Sequence, residues 1–462
     1  MKNKGKLLNK NIWLVCLPGF LLPLQAKVVV EDKSDDQPNM EIIEVYAQKR
    51  AQKIEEVGIS VSTVTGDDLK AQQVKDSTEL SVFAPNLKIS QNAAEGTPPA
   101  VNIRGVGLVD YNTANTSPVA MYVDDIAVGS ASNQIVNLFD IEQIDILRGP
   151  QGTLFGRNST GGAILIRSKR PEFEQSGYLS TGVANNNTTS VDAMFNSAIG
   201  ENTAVRVALN HQNYDYSTNN NFADSPTAGM RQTNGRVSFL ADFDTVQLLI
   251  KGHVSDWDGI VQPVGSIGVI ANPLTGERCS PAQAGSTTCF DNFGFNDGSD
   301  DFYTVSVNNN SPHKTDGKGG SAHVNWQLDT HNELISLTSY NKLKRDHAFN
   351  CDGSPARLCE GNLGLNTDLV TQEFRLQSQL AEHFLTTGIY YADESIIQDN
   401  VNDILRDYRG ILETDLTATF FYDNRIKTKS IAAFTQLDYQ LNQDWLITAG
   451  LRYSYESLDY DT

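Results

Sequence analysis

Outside its first 26 residues this 462-residue chain lacks any long apolar run, and its mean hydropathy is -0.34. That excludes a bundle of membrane-spanning helices, each of which needs about 20 apolar residues in succession. Basic residues are scarce: 36 Lys and Arg stand against 56 Asp and Glu, a formal charge of -20. So acidic a chain argues against nucleic acid or anionic lipid as a partner. The signatures of common catalysts are missing as well. The seven histidines show no HExxH or paired spacing, and there is no GxSxG or cysteine–histidine arrangement. Arg104-Gly105-Val106-Gly107 lacks the third glycine of a dinucleotide fingerprint, and residues 297–301 match only part of a calcium loop. Neither an enzyme nor a resident cofactor or metal is expected.

Lys2, Lys4, Lys6 and Lys10 precede an apolar stretch, residues 12–24, that is too short to span a bilayer. With Ala26 at a small-residue cleavage point, residues 1–26 read as a secretory signal peptide. Cys16 lacks the small residues before it that lipidation needs. Cleavage would remove four lysines and no acid, taking the charge from -20 to -24. Cys279, Cys289, Cys351 and Cys359 would remain, as two close pairs in Gly/Asn/Asp/Ser-rich segments. Export permits disulfides, and local pairing of Cys279 with Cys289 and of Cys351 with Cys359 needs the least rearrangement. Zinc is the alternative, but neither pair has CxxC spacing or a neighbouring histidine.

Residues 27–56 read as a flexible N-terminus. Within them the patch Ile42-Ile43-Glu44-Val45-Tyr46 is strand-forming yet has no partner in its own segment. It is either an edge strand of the next domain or a docking strand for another protein's sheet. Residues 57–170 read as a small mixed α+β domain. One helix is expected over residues 67–74, and Asp76 with Glu79 forms a capping-box pattern for a second that ends before Pro85. Short strands are expected at residues 87–90, 101–104, 120–123, 141–147 and 163–167.

From about residue 171 the pattern changes to stretches of about ten residues that alternate apolar with polar. Val205, Val207 and Leu209 oppose Arg206, Ala208 and Asn210; Phe374, Leu376 and Leu380 oppose Glu373, Arg375, Gln377 and Gln379. About eleven such strands can be counted. After the first hairpin their connections alternate between short turns and long loops, which a soluble sandwich does not require. An outer-membrane barrel does, with short periplasmic turns and long external loops. Both cysteine pairs then fall in external loops.

The segment QIDILRGPQGTLFGRNSTGGAILIRSKRP (residues 143–171) resembles the end of the plug of TonB-dependent outer-membrane receptors. VNIRGVG (101–107) and VAMYVDDIAVG (119–129) resemble two earlier plug motifs, and IIEVYAQKR resembles the family's TonB box and the polar run behind it. TQEFRLQS (371–378) and LITAGLRYSYE (446–456) resemble its barrel strands. The resemblance implies a mixed α+β plug domain followed by an antiparallel transmembrane β-barrel. The family's barrel has 22 strands, of which residues 171–462 would supply half, so the sequence reads as an N-terminal fragment that would not transport by itself.

It further implies a monomer in the outer-membrane lipid that takes up a scarce ligand, a ferric siderophore by default, driven by TonB pairing with Ile42, Ile43, Glu44, Val45 and Tyr46. Arg104 and Arg148, from the IRG and LRGP motifs, would lock the plug against the barrel glutamates Glu373 and Glu456. Ligand contacts would come from Asp110, Tyr111, Asn112 and Asn115 in one plug loop and Ser130 and Asn133 in another. A carbohydrate or vitamin receptor of the same build is the near alternative. A passive porin or a structural surface protein would have no use for the plug, and a signalling receptor would need a folded domain before residue 42.

Overall fold

The computed structural model describes residues 44–91, 98–108, 115–222, 225–299, 301–308, 310–409 and 419–462. The expected signal peptide, Ile42, Ile43, Asp110, Tyr111 and Asn112 lie outside the described residues. No helix among the described residues is long and apolar enough to cross a membrane.

The N-terminal part holds ten strands: β1 (Glu44–Val45), β2 (Gln52–Lys53), β3 (Ser60–Thr65), β4 (Leu87–Gln91), β5 (Pro99–Ile103), β6 (Val106–Gly107), β7 (Val119–Val123), β8 (Ile126–Ala127), β9 (Ile141–Arg148) and β10 (Gly162–Ser168). Its main sheet runs β3-β9-β10-β7-β8, antiparallel except between β10 and β7. Alternation along these strands makes two apolar faces. Ile144, Ile146, Met121 and Ile164 face one cluster with Leu69, Leu80 and Val101. Leu147, Tyr122 and Leu165 face the other, with Val45, Ala47, Val57, Phe155 and Phe434.

That second face overturns the expectation of a flexible segment through residue 56. Val45 and Ala47 are fully buried, and β1 pairs with β2 in a small hairpin. Leaving Leu147 and Tyr122 uncovered would expose apolar surface, at about 25 cal/mol per Å², so the segment folds down onto the sheet. The helices also differ from expectation. The first, α1, is Gly66–Ala71, with the capping box at Thr65 and Asp68. Asp76 does cap a turn, but Ser77–Val82 is a 3-10 helix, and the Glu79 carboxylate accepts from the Lys75 amide instead of from Asp76. A second short helix, α2 (Gly152–Phe155), follows β9.

Eleven strands form the second part: β11 (Ser176–Ala184), β12 (Thr188–Gly200), β13 (Thr203–Asp215), β14 (Gly229–Asp242), β15 (Val246–Ile260), β16 (Pro312–Gln327), β17 (Asn332–Asn350), β18 (Cys359–Leu380), β19 (His383–Ile404), β20 (Thr419–Asn442) and β21 (Trp445–Asp461). They make one antiparallel sheet in sequence order, in which β11 and β21 each pair on one side only. The sheet curves round the N-terminal domain and is not closed. One face carries exposed Leu209, Phe374, Ile389, Ile431 and Leu451, while Arg206, Glu373 and Arg375 on the other are buried. Apolar side chains directed outward and charges inward invert the rule for a soluble protein and fit a wall bathed in lipid. Exposed Trp326, Tyr439 and Trp445 mark the edge near the short turns, and Tyr340, Tyr391 and Tyr455 mark the other edge, as girdles at the two interfaces do.

The strands outrun the ten-residue stretches: β18 has 22 residues and β20 has 24. Beyond Tyr340 the outward positions on β17 are Lys342, Lys344 and Asp346, so the ladder continues above the lipid, where charge is solvated. The external connections include residues 261–311, which hold the Cys279–Cys289 disulfide, and residues 351–358, beside which Cys351 is joined to Cys359.

Candidate functional site

The wall of β18 to β21 meets basic residues of the N-terminal domain. Lys49 sits in the turn of the β1–β2 hairpin at φ 58. Its ammonium lies 2.6 Å from Glu373, which also accepts from Arg375 at 2.8 Å. The rings of Tyr122, Phe155 and Phe434 surround it at 5.6 to 6.0 Å. Burial pulls the Lys49 pKa below its ordinary value, with Glu373 opposing the shift. Next to it, Arg50 pairs with Asp438 at 2.6 Å and stacks on Phe384. Arg157 follows α2 and reaches Glu394 at 2.6 Å and Glu456 at 3.1 Å. Gly156 (φ 73) precedes it, and a Cβ there would lie 2.7 Å from the Arg452 guanidinium. The Arg452 side chain could swing aside, but φ 73 with ψ -139 is a backbone conformation that favours glycine.

Along β13 to β15 the charges are exchanged. Asp140, just ahead of β9, accepts two hydrogen bonds from Arg206, at 2.8 and 2.6 Å, and lies 3.5 Å from Arg236. Asp124, in the β7–β8 turn, pairs with Lys251 at 2.9 Å and accepts from the Ser168 amide. Burial alone would raise both carboxyl pKa values. The facing cations outweigh it, Arg206 at Asp140 and Lys251 at Asp124, and hold both carboxyls below their ordinary range.

Ion pairs so deeply buried add little net stability over apolar contacts, but losing one member strands a charge. They suit an insert that must be held firmly and still be removable. The residues transferred by resemblance are placed differently. Glu373 and Glu456 are in the boundary. Arg148 stays inside the plug, donating to Ser60 at 2.8 Å and to Ser62. Arg104 is exposed and makes no ion pair among the described residues. The structure thus brings neither arginine to the barrel glutamates; Lys49 and Arg157 occupy those places. Arg157→Ala is therefore expected to loosen the domain by about 3 kcal/mol, whereas Arg104→Ala and Arg148→Ala leave its protease resistance within about 1 kcal/mol of wild type. Equal loosening by all three would refute this ranking.

Among the remaining ligand candidates, Ser130 is fully buried and caps the 3-10 turn Ala131–Gln134. Asn133 bonds the Val128 carbonyl and the Thr367 hydroxyl of the wall. Asn115 is half-buried. The signals for the missed residues were modest. Lys49-Arg50 is a basic pair in an acidic chain, and Arg206 and Glu394 are charges on the inward phase of a strand.

Similarity to known proteins agrees with this geometry. Residues 53–163 match the TonB-dependent receptor plug domain, and residues 276–462 match the TonB dependent receptor-like β-barrel. The pesticin receptor of Yersinia enterocolitica (serotype O:8 / biotype 1B) is 30% identical over 176 residues, 37% of this chain and 24% of that protein. The vitamin B12 transporter BtuB of Vibrio cholerae is 24% identical over 245 residues, 51% of this chain and 38% of the transporter. The structure of the ferric yersiniabactin uptake receptor FyuA from Yersinia pestis superposes with a TM-score of 0.68 at 18% identity, covering 87% of this chain and 57% of that one. The ferripyoverdine receptor of Pseudomonas aeruginosa gives 0.70 at 13%, covering 90% and 54%. The chain spans little more than half the length of these solved structures.

Proposed function

The chain belongs to the TonB-dependent receptors, transport proteins of the outer membrane and not enzymes, and on that premise we propose that it takes part in energised uptake of a ferric siderophore. The observation that carries this reading is the plug itself, held against the barrel wall by buried ion pairs on two flanks. A passive pore gains nothing from a bolted obstruction. A receptor that binds a scarce solute tightly needs one, together with outside work to move it.

TonB would add its own strand to residues 42–46. Val45 is fully buried and Glu44–Val45 is already paired with β2, so this strand must first be drawn out. The pull then falls on Lys49 and Arg50, which are bonded to the wall, and so reaches the boundary early. Iron as cargo is supported by relatives named for ferrioxamine and ferric yersiniabactin. The similarity to vitamin B12 transporters makes a corrinoid the second reading.

Proline at position 45 removes a backbone donor and resists strand addition. In the receptor as the cell makes it, Val45→Pro is expected to cut iron accumulation under chelation at least about tenfold, while surface binding persists. Wild-type accumulation by this variant would overturn the TonB assignment. Rescue of vitamin B12-dependent growth, without an effect on iron-limited growth, would select the corrinoid.

A further inference from the structure

Two buried histidines close the external end of the wall. His313 and His347 are direct cross-strand partners on β16 and β17, each 1% exposed. Their Nδ1 atoms lie 2.8 Å apart, so one ring donates to the other. His313 Nε2 bonds the Thr315 hydroxyl at 3.0 Å, and its ring stands 4.8 Å from that of Trp257 on β15. His347 Nε2 is buried with no hydrogen-bond partner among the described residues. His347 lies beyond Tyr340 by roughly 20 Å of strand, which puts the pair above the lipid on the external side.

The surroundings of the pair do not accept charge. Arg345, the inward residue preceding His347, is itself buried. Leu363 and Leu365 of β18 are the cross-strand partners of His347 and Arg345. From the plug, Ile135 packs with Trp257, Met230 and Val261. The nearby charges of β14 to β17 alternate to the outward face. Arg231 pairs there with Asp258 and Lys344 with Asp346, flanked by Asp256, Lys314 and Asp316. In the adjoining loops, Asp291 and Asp352 accept from amides of their own segments. Among the described residues, then, Arg345 is the charge that faces the pair, and no carboxylate opposes it. Burial holds both imidazoles below their ordinary pKa, and Arg345 adds to the effect.

We propose that this pair is an acid-sensitive joint, at which one added proton parts the external ends of β15 to β17 and opens the rim of the cavity between plug and wall. That cavity is lined by Ile135, Trp257, Thr315 and Arg345 among others. The added proton has two places to go. On the accepting Nδ1 it breaks the bond and sets N–H against N–H. On the donor ring's Nε2 it spares the bond but leaves a cation beside Arg345, away from water. The closed wall rejects the imidazolium in either form, and an opened wall, where water reaches the ring, admits it. The joint answers to the outer medium and holds for any cargo. Asp140 and Asp124, held below the ordinary carboxylate range, stay charged over the same interval, so the plug remains seated while the rim opens.

The sign follows from linkage. A histidine in the opened wall titrates near pH 6.5 and one in the closed wall well below that, so the closed state loses ground as pH falls through 6.5. From pH 7 to 5 the opened population should grow at least about tenfold. Hydrogen exchange of the purified receptor, read by mass spectrometry and corrected for the intrinsic pH dependence of exchange, measures that population. Residues 255–259, 312–316 and 344–350 should lose protection by this factor, and residues 386–394 of β19 should not.

His313→Gln/His347→Gln keeps polar side chains that cannot take up the proton, and its corrected exchange should be flat with pH. Should that double variant fail to reach the membrane, His347→Gln alone should still diminish the response. Corrected exchange that is flat in the unmodified receptor overturns the joint. So does an acid response as large in the variants as in wild type, or an equal loss of protection at residues 386–394, which would mark a general softening of the wall.

Discussion

Glu373→Ala is expected to be the most damaging single change at the boundary between plug and wall. Its carboxylate is shared by Lys49 and Arg375, whose side chains are each 3% exposed. Removing it leaves two like charges facing each other away from water, and stranding a buried charge costs about 3–5 kcal/mol. Resistance of the plug to protease, followed against urea in outer-membrane fractions, should fall by that amount. Adding Lys49→Met should recover part of the loss, because one of the two stranded cations is then gone. A plug as resistant in Glu373→Ala as in wild type would remove this pair from any account of plug retention.

The second large effect is a loosening in acid. The Asp140 carboxyl is held below its ordinary range by Arg206, against the opposing influence of burial. A group whose folded pKa is depressed contributes stability above its unfolded value, near 4, and that contribution is lost as pH falls through the folded value. Seating should therefore be flat from about pH 7 to 5 and weaken below about pH 4. Asp124, depressed in the same way by Lys251, adds to the loss. Asp140→Asn should lower seating at neutral pH by about 3 kcal/mol and flatten the acid limb. An unchanged acid profile in that variant would show that the pair carries no part of the pH dependence.

What could be read from the sequence follows from which constraints are local. Lipid on one side forces strict alternation, so the phase of Glu373 and Arg206 is visible in strands met without a structure. Five of the seven plug strands between residues 87 and 168, β4, β5, β7, β9 and β10, are short apolar runs that stand within two residues of where the pattern puts them, whereas the two-residue strands β6 and β8 are not legible. The packing of residues 44–56 escaped because its cause is remote. Val45 and Ala47 cover Leu147 and Tyr122, about a hundred positions away in sequence, and nothing periodic within the segment announces it.

The locking residues divide in the same way. Those on barrel strands can be inferred from phase, whereas Lys49, Asp124 and Asp140 sit in turns at positive φ, where no period exists to follow. Arg148 illustrates the weakness of motif transfer. Its guanidinium spans Ser60 and Ser62 on β3, its neighbour in the plug sheet, before it can reach the wall.

The distribution of sign round the plug has a geometric consequence. A round stopper in a round bore can rest at many angles, and apolar contact does little to choose among them. Here acids lie on the flank toward β13–β15 and bases on the flank toward β18–β21. Turned away from this setting, Asp140 would leave its arginines and Lys49 would leave its glutamate, each still dry and now unmatched. Against this part of the wall, charge therefore favours one azimuth among those that apolar contact would allow.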